Sequence, residues 1–85
     1  MSEVYLVLGQ AKTITEARVV SKALKEKSAE LGFTPEIWST QDSTYSIVRP
    51  VQVEKVSPAR IARIESVLDV DVSLIGKNML LEKYD

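Results

Sequence analysis

The chain has 85 residues, of which 45% are hydrophobic and 27% are charged. This is the length of one domain with the composition of a folded protein, which excludes general disorder. The formal net charge is −1, from 11 basic and 12 acidic residues, so the basic surplus typical of nucleic-acid binders is missing. Cysteine and histidine are absent, which excludes disulfides, thiolate chemistry and the commonest general base.

The N-terminal stretch MSEVYLVLGQ lacks the basic region and the long apolar run of a signal peptide. No apolar run reaches the roughly 18 residues that a membrane span requires. We therefore expect a cytoplasmic protein that does not contact a membrane. Without histidine or cysteine we also expect no metal and no cofactor.

The first predicted elements are a strand and a helix. Residues 4–8 form a short apolar run that stops at Gly9, which is typical of a strand buried on both faces. Thr13 and Glu16 have the spacing of a capping box, so a helix should begin there, and Gly32 is placed to end it. The residues predicted to be buried along this helix are Ala17, Val20, Leu24, Ser28 and Leu31.

Two further strands follow, joined by a turn. Residues 33–40 enter a second strand, and the Gln-Asp-Ser sequence at 41–43 favours a tight turn. The third strand covers either 44–48 or, if it continues past the proline, 44–53. Because proline cannot donate to a strand ladder, Pro50 marks an edge, a bulge or the end of this strand.

The C-terminal third predicts a second helix and a fourth strand. Ser57 can cap the helix and Pro58 suits its first turn. Residues 69–71 end the helix, residues 72–75 form the fourth strand, and residues 79–84 form either a short fifth strand or a packed tail. The buried residues of this helix are predicted to be Ile61, Ile64, Val67 and Leu68.

The order β-α-β-β-α-β predicts an α+β fold, the ferredoxin-like plait, in which a four-stranded antiparallel sheet carries both helices on one face. A weak internal repeat agrees with this order. Tyr5 precedes Ala17 by 12 residues, and Tyr45 precedes Ala59 by 14 residues, each through a strand into a helix. Such a repeat is typical of a doubled β-α unit, although coincidence between two short amphipathic segments explains it equally well.

Two helices on one face leave the other face of the sheet open, and the first strand is apolar on both sides. Trp38 is predicted to lie on the open face because Glu36 and Thr40, which share its side, are polar. If Val48 points to the helices, the third strand adds three residues to this face, whereas a shift of one residue would reverse that assignment. The predicted partner-binding residues are Tyr5, Val7, Trp38, Tyr45, Ile47 and Arg49. The alternative is that the C-terminal segment 79–85 folds back over this face.

Candidate sites for chemistry are few. Asp69 and Asp71 could touch a cation, but such a pair is usually a solvated helix end. Residues 9–13 place a glycine and a lysine before a helix, yet they lack the second glycine and the Gly-Lys-Ser/Thr ending of a phosphate loop. A secondary basic stripe on the first helix, formed by Arg18, Lys22 and Lys25, is either a solvated surface or a docking site for an acidic partner.

Residues 4–6 and 43–48 carry a first resemblance. They are similar to the shorter and longer sheet motifs of the RNA recognition motif family, with Tyr45 and Val48 at matching positions. In that family the aromatic residues stack on bases at the open sheet face. The basic residue that begins the longer motif is replaced here by Ser43, and the glycines of the motif are missing.

A second resemblance covers residues 4–68. Its elements are residues 5–9, 32–33 and 45–50, with Ala17 and Leu24 in the first helix. They are similar to the SPOR domain family, which also has a doubled β-α plan. That family binds bacterial cell-wall glycan, usually as the exported tail of a membrane protein. Because this chain shows no export signal, the resemblance implies the fold rather than the ligand.

The sequence therefore predicts a small binding or regulatory protein without enzymatic activity. It should act through the open sheet face, either as a homodimer or by docking on a larger protein. The alternative is a module that binds single-stranded nucleic acid on the same face, which the net charge of −1 disfavours.

Overall fold

The computed structural model describes residues 2–84 and has an α+β architecture. Its helices and strands are, in chain order, β1 (Glu3–Ala11), α1 (Ile14–Ser28), β2 (Glu36–Thr40), β3 (Tyr45–Gln52), α2 (Pro58–Leu68), β4 (Ser73–Ile75) and β5 (Leu80–Tyr84). The strands form one antiparallel sheet in the order β4-β1-β3-β2-β5. The sheet thus has five strands rather than four, because the C-terminal segment pairs with β2.

Both helices begin where local side chains can satisfy their free backbone N–H groups. The Thr13 hydroxyl accepts a hydrogen bond of 3.1 Å from the backbone N–H of Glu16. The Ser57 hydroxyl accepts one of 3.2 Å from the backbone N–H at the third position of α2. After α1 a short 3₁₀ turn leads to Gly32, whose φ of 79° is the left-handed conformation that glycine adopts at no steric cost. Asp69 ends α2 in the same way, with a φ of 56°.

β1 continues past Gly9 to Ala11, so the prediction that the strand stops at the glycine is wrong. The ladder between β1 and β3 shifts register between Val7 and Gly9, which identifies a β-bulge. A Cβ atom on Gly9 would lie 3.1 Å from Cγ1 of Val20 in α1. Gly9 thus lies where a side chain would crowd Val20 of α1, and it does not end the strand. Residues 9–11 lie within this paired strand and do not form a phosphate-binding loop.

β3 follows the longer of its two predicted courses and passes through Pro50. It pairs with β1 along its whole length, and Pro50 lies opposite Tyr5. On the other side, β2 begins at Glu36 opposite Val48. Pro50 lies beyond that point, so its missing N–H removes no bond to β2, and the proline is tolerated in a strand that is otherwise central.

The main core lies between the two helices and one face of the sheet. It contains residues of α1, α2 and the three inner strands, which are Ala17, Leu24, Ile64, Leu68, Leu6, Leu8, Ala11, Ile37 and Ile47. The two helices therefore cover the same face, as the sequence predicts. A second and smaller cluster lies on the opposite face, and that cluster positions the candidate site.

Candidate interaction surface

The sheet face opposite the helices carries an apolar cluster of four buried side chains, namely Tyr5, Val7, Val48 and Leu80. Trp38 and Ile75 pack at its margin and are only partly buried. The register explains the grouping, because Val7 pairs with Val48 and directly opposed residues project from the same face. We refer to these six residues as the sheet-face cluster.

The segment that joins β4 to β5 crosses this face. β4 and β5 lie at opposite edges of the sheet, with the three strands β1, β3 and β2 between them. The connection, residues 76–79, contacts β1, and Met79 lines the same shallow cavity as Val7 and Ser46. The Gln41 side-chain amide donates a 2.7 Å hydrogen bond to the carbonyl of Asn78. We call residues 76–80 the strap.

The strap buries the centre of the face and leaves its margin accessible. Tyr5 is 4% exposed and Val7 is 5% exposed, so neither can contact a partner while the strap is in place. Met79 on the strap is 47% exposed, and Trp38 at the margin remains partly exposed. The C-terminal segment thus covers part of the face, as the alternative interpretation of the sequence proposed, but it does not seal Trp38.

The Trp38 side chain is oriented by contacts with Tyr5 and Glu36. Its ring meets the Tyr5 ring edge to face, with centroids 5.9 Å apart. Its indole N–H donates a 3.0 Å hydrogen bond to Glu36 Oε1. The second carboxylate oxygen of Glu36 lies 3.4 Å from Nζ of Lys83, the residue paired with Trp38 across the β2–β5 ladder. The polar atom of the indole therefore has its hydrogen-bond partner within the protein, and the remainder of the side chain is apolar.

Charge near this face is balanced. Glu36 and Lys83 form an ion pair, and both are at least partly exposed, so the pair contributes little to stability. Burial raises the pKa of the Tyr5 phenol, and the negative charges of Glu3 and Glu36 raise it further. Tyr5 is therefore neutral at physiological pH. Of the two charged residues beside Trp38, Glu36 accepts its hydrogen bond and Lys83 is paired with Glu36.

The assignment of three predicted site residues to this face is wrong. Ile47 is fully buried in the main core, and Tyr45 packs against the same core. Arg49 pairs with Leu6, which belongs to the helix side. The cause is the register, since Val48 rather than Ile47 lies opposite Val7. Arg49 lies just beyond Val48, where the pairing of β3 with β2 ends, and its guanidinium extends over the Phe33 ring.

The other predicted residues are distributed over the surface. Arg18, Lys22 and Lys25 are all exposed on α1. Asp69 and Asp71 are exposed at the end of α2. Within residues 2–84, no group of three or more potential ligands could hold a metal ion. Neither helix in this range is both long enough and apolar enough to cross a membrane.

The sequence does not predict the course of the strap. Gly76 and the polar residues after it indicate a turn, and turns usually join neighbouring strands. Here the segment joins strands at the two edges of the sheet. The one available signal was Leu80, an apolar residue immediately after the turn, which is 7% exposed and packs in the sheet-face cluster.

Comparisons of the chain with protein-family models, with curated proteins and with solved structures found no match. The resemblances to the SPOR domain and to the RNA recognition motif therefore stay predictions from the sequence. The geometry of the sheet face and the distribution of charge are therefore the basis for a functional proposal.

Proposed function

We propose that this protein is a non-enzymatic binding or regulatory protein that recognises a protein partner through the margin of its sheet face. The observation that supports this most directly is the position of Trp38. Its ring is oriented by Tyr5 and its N–H is satisfied by Glu36, while part of its apolar surface stays in contact with solvent. Tryptophan in such a position is typical of binding hot spots.

We further propose that the fold is a ferredoxin-like plait with one added strand. β3 lies between β1 and β2, and β1 lies between β3 and β4. Each helix thus connects two strands that are separated by one antiparallel strand, which is the split β-α-β arrangement. β5 is the added strand, and it pairs with β2. Together with the strap, it supplies residues that cover part of this sheet face.

The partner is a protein, either a second copy of this chain or a larger molecule. Stacking of nucleic acid on the same face has less support in the geometry, because Arg49 lies on the helix side and Lys83 is paired with Glu36. A single-stranded nucleic acid would need cations beside the aromatic rings. The cysteine-free composition agrees with a cytoplasmic location.

The proposal is tested with two variants of the margin and one control. Trp38→Ala removes the central side chain, and Met79→Ser removes an exposed apolar side chain from the strap. Val19→Ala is the matched control, because Val19 is 66% exposed on α1, away from the sheet face. Circular dichroism first establishes that each variant is folded.

Light scattering over a range of concentrations then measures self-association, and capture from the native host followed by mass spectrometry identifies other partners. We expect Trp38→Ala to weaken association about 30-fold or more, which corresponds to a hot spot of about 2 kcal/mol, and Val19→Ala to leave it unchanged. A folded Trp38→Ala protein with unaltered mass and unaltered partners would refute the proposal. Quenching of Trp38 fluorescence by an oligonucleotide, reversed by salt, would support the nucleic-acid alternative instead.

A further inference from the structure

A groove of about 540 Å³ lies on the helix side of the molecule, away from the sheet-face cluster. Its walls come from the start of α2, from the turn that follows α1, and from the adjoining ends of β1 and β3. The volume lies within the range of about 300–1,000 Å³ that is typical of sites for small molecules. The groove is separate from the surface proposed above to bind a protein.

Positive charge is concentrated in this groove. It is lined by four of the chain's 11 basic residues but by only two of its 12 acidic residues, Glu3 and Glu30. The four basic residues are Arg49, Lys55, Arg60 and Arg63. Over residues 2–84 the ion pair present joins Lys83 to Glu36, so none of the four is paired with a carboxylate of this range. An acidic protein thus carries a local excess of two positive charges here.

The local backbone explains why these side chains meet. The hydrogen bond at Ser57 fixes the start of α2. Arg60 and Arg63 are three residues apart in this helix, so their side chains lie on the same side of it. Gly32, in its left-handed conformation, ends the preceding turn and directs Phe33 into the opposite wall. The Arg49 guanidinium lies 5.2 Å from the centre of the Phe33 ring.

The groove also has an apolar floor. Leu6 and Ile64 are buried core residues that reach its surface, and Phe33 adds an aromatic ring. Arginine stacked on a ring keeps its N–H groups available at the edge of its plane, where they match the oxygens of phosphate. A groove with both arginine side chains and an apolar floor suits an organic molecule that carries an anionic group. It suits a free inorganic anion less well, because such an anion makes no apolar contacts.

We infer that this groove binds a phosphate monoester whose organic part contains a ring, at the size of a mononucleotide. The phosphate lies against Arg60 and Arg63, and the ring of the ligand contacts Leu6, Ile64 and the part of Phe33 that Arg49 leaves free. A phosphate monoester carries close to two negative charges at neutral pH, which balances the excess of two positive charges. Arginine is the side chain best suited to bind such a group through two parallel hydrogen bonds.

Isothermal titration calorimetry at low ionic strength, with AMP as the probe, tests the inference. Adenosine and inorganic phosphate are titrated separately, so that the contributions of ring and phosphate are distinguished. We expect AMP to bind more tightly than either fragment, and added salt to weaken its binding. Amide chemical-shift changes in an NMR titration should be centred on Phe33 and Arg60.

Two charge-removing variants complete the test. Arg60→Gln and Arg63→Gln should each weaken AMP binding about tenfold, because each removes a charged hydrogen-bond donor. Arg18→Gln, an exposed arginine on α1 outside the groove, is the matched control and should leave the affinity unchanged. Loss of the same affinity in all three variants would overturn the assignment, as would absence of AMP binding at millimolar concentrations. Tight binding of single-stranded DNA that AMP does not displace would also overturn it.

Discussion

Leu80→Ala tests whether the strap is an integral part of the fold. Leu80 is 7% exposed and is the one strap residue among the buried members of the sheet-face cluster, where it packs with Tyr5, Val7 and Val48. Truncation to alanine removes the apolar contact that holds the strap against the sheet. The next residue, Leu81, is 60% exposed, so Leu81→Ala changes the same residue type in the same strand without emptying the cluster.

The expected loss in the free energy of unfolding follows from the burial of Leu80. Truncation of a buried leucine to alanine destabilises a protein by about 2–5 kcal/mol, depending on how far the surroundings collapse. Leu80 begins an edge strand and adjoins the exposed Met79, where relaxation is easy, so we expect about 2–3 kcal/mol. For a domain of this size the loss corresponds to a fall in Tm of roughly 10–20 °C. Leu81→Ala should cost less than about 0.5 kcal/mol.

Urea denaturation followed by circular dichroism gives the free energy of unfolding, and Trp38 fluorescence reports the sheet face separately. We expect the two probes to agree for the wild type and for Leu81→Ala. In Leu80→Ala the emission of Trp38 should shift to longer wavelength before unfolding, because water reaches the cluster. If Leu80→Ala and Leu81→Ala have the same stability and the same emission, the strap does not bury the sheet face and our reasoning is wrong.

Three further changes test local features of the fold. Gly9→Ala should destabilise the protein by about 1–3 kcal/mol in urea denaturation, because the new methyl group would lie 3.1 Å from Val20; an unchanged midpoint would show that β1 and α1 are not closely packed there. Ser57→Ala should cost about 1 kcal/mol by loss of the α2 cap, whereas Ser57→Asp should retain most of the stability; equal losses would exclude the cap. Two threonine hydroxyls hold the pKa of Asp42 below its usual value, so its contribution to stability is present above the unfolded-state pKa of about 4 and is lost as pH falls through the folded-state pKa. NMR titration of its carboxyl carbon measures that pKa, and a normal value would contradict the hydrogen bonds.

Most elements of the fold could be predicted because their signals are local. Thr13 and Ser57 cap the two helices, and Gly32 has the left-handed conformation expected after α1. Each of these features depends on residues within one turn of the chain. The sequence predicts an end of β1 at Gly9, but β1 continues to Ala11. The local pattern does not show that Gly9 lies close to Val20 in α1.

The candidate surface could be predicted only in part. The polar neighbours of Trp38 within its own strand predict its face correctly. The prediction for Ile47 is wrong because both sides of β3 are apolar enough to be buried. Alternation gives two sets of residues but does not say which set meets the helices.

The amino-acid sequence by itself determined the two helices and the order of the first four strands, since capping, periodicity and turn chemistry act over a few residues, but it left residues 79–84 open between a strand and a tail. Only the tertiary structure decided which face of β3 is buried with the helices, where Arg49 lies, and how the strap crosses the sheet. These depend on the register between β1 and β3 and on the pairing of β5 with β2. Such pairings join residues far apart in the chain, and a shift of one residue reverses every side chain of a strand, so no local pattern specifies them.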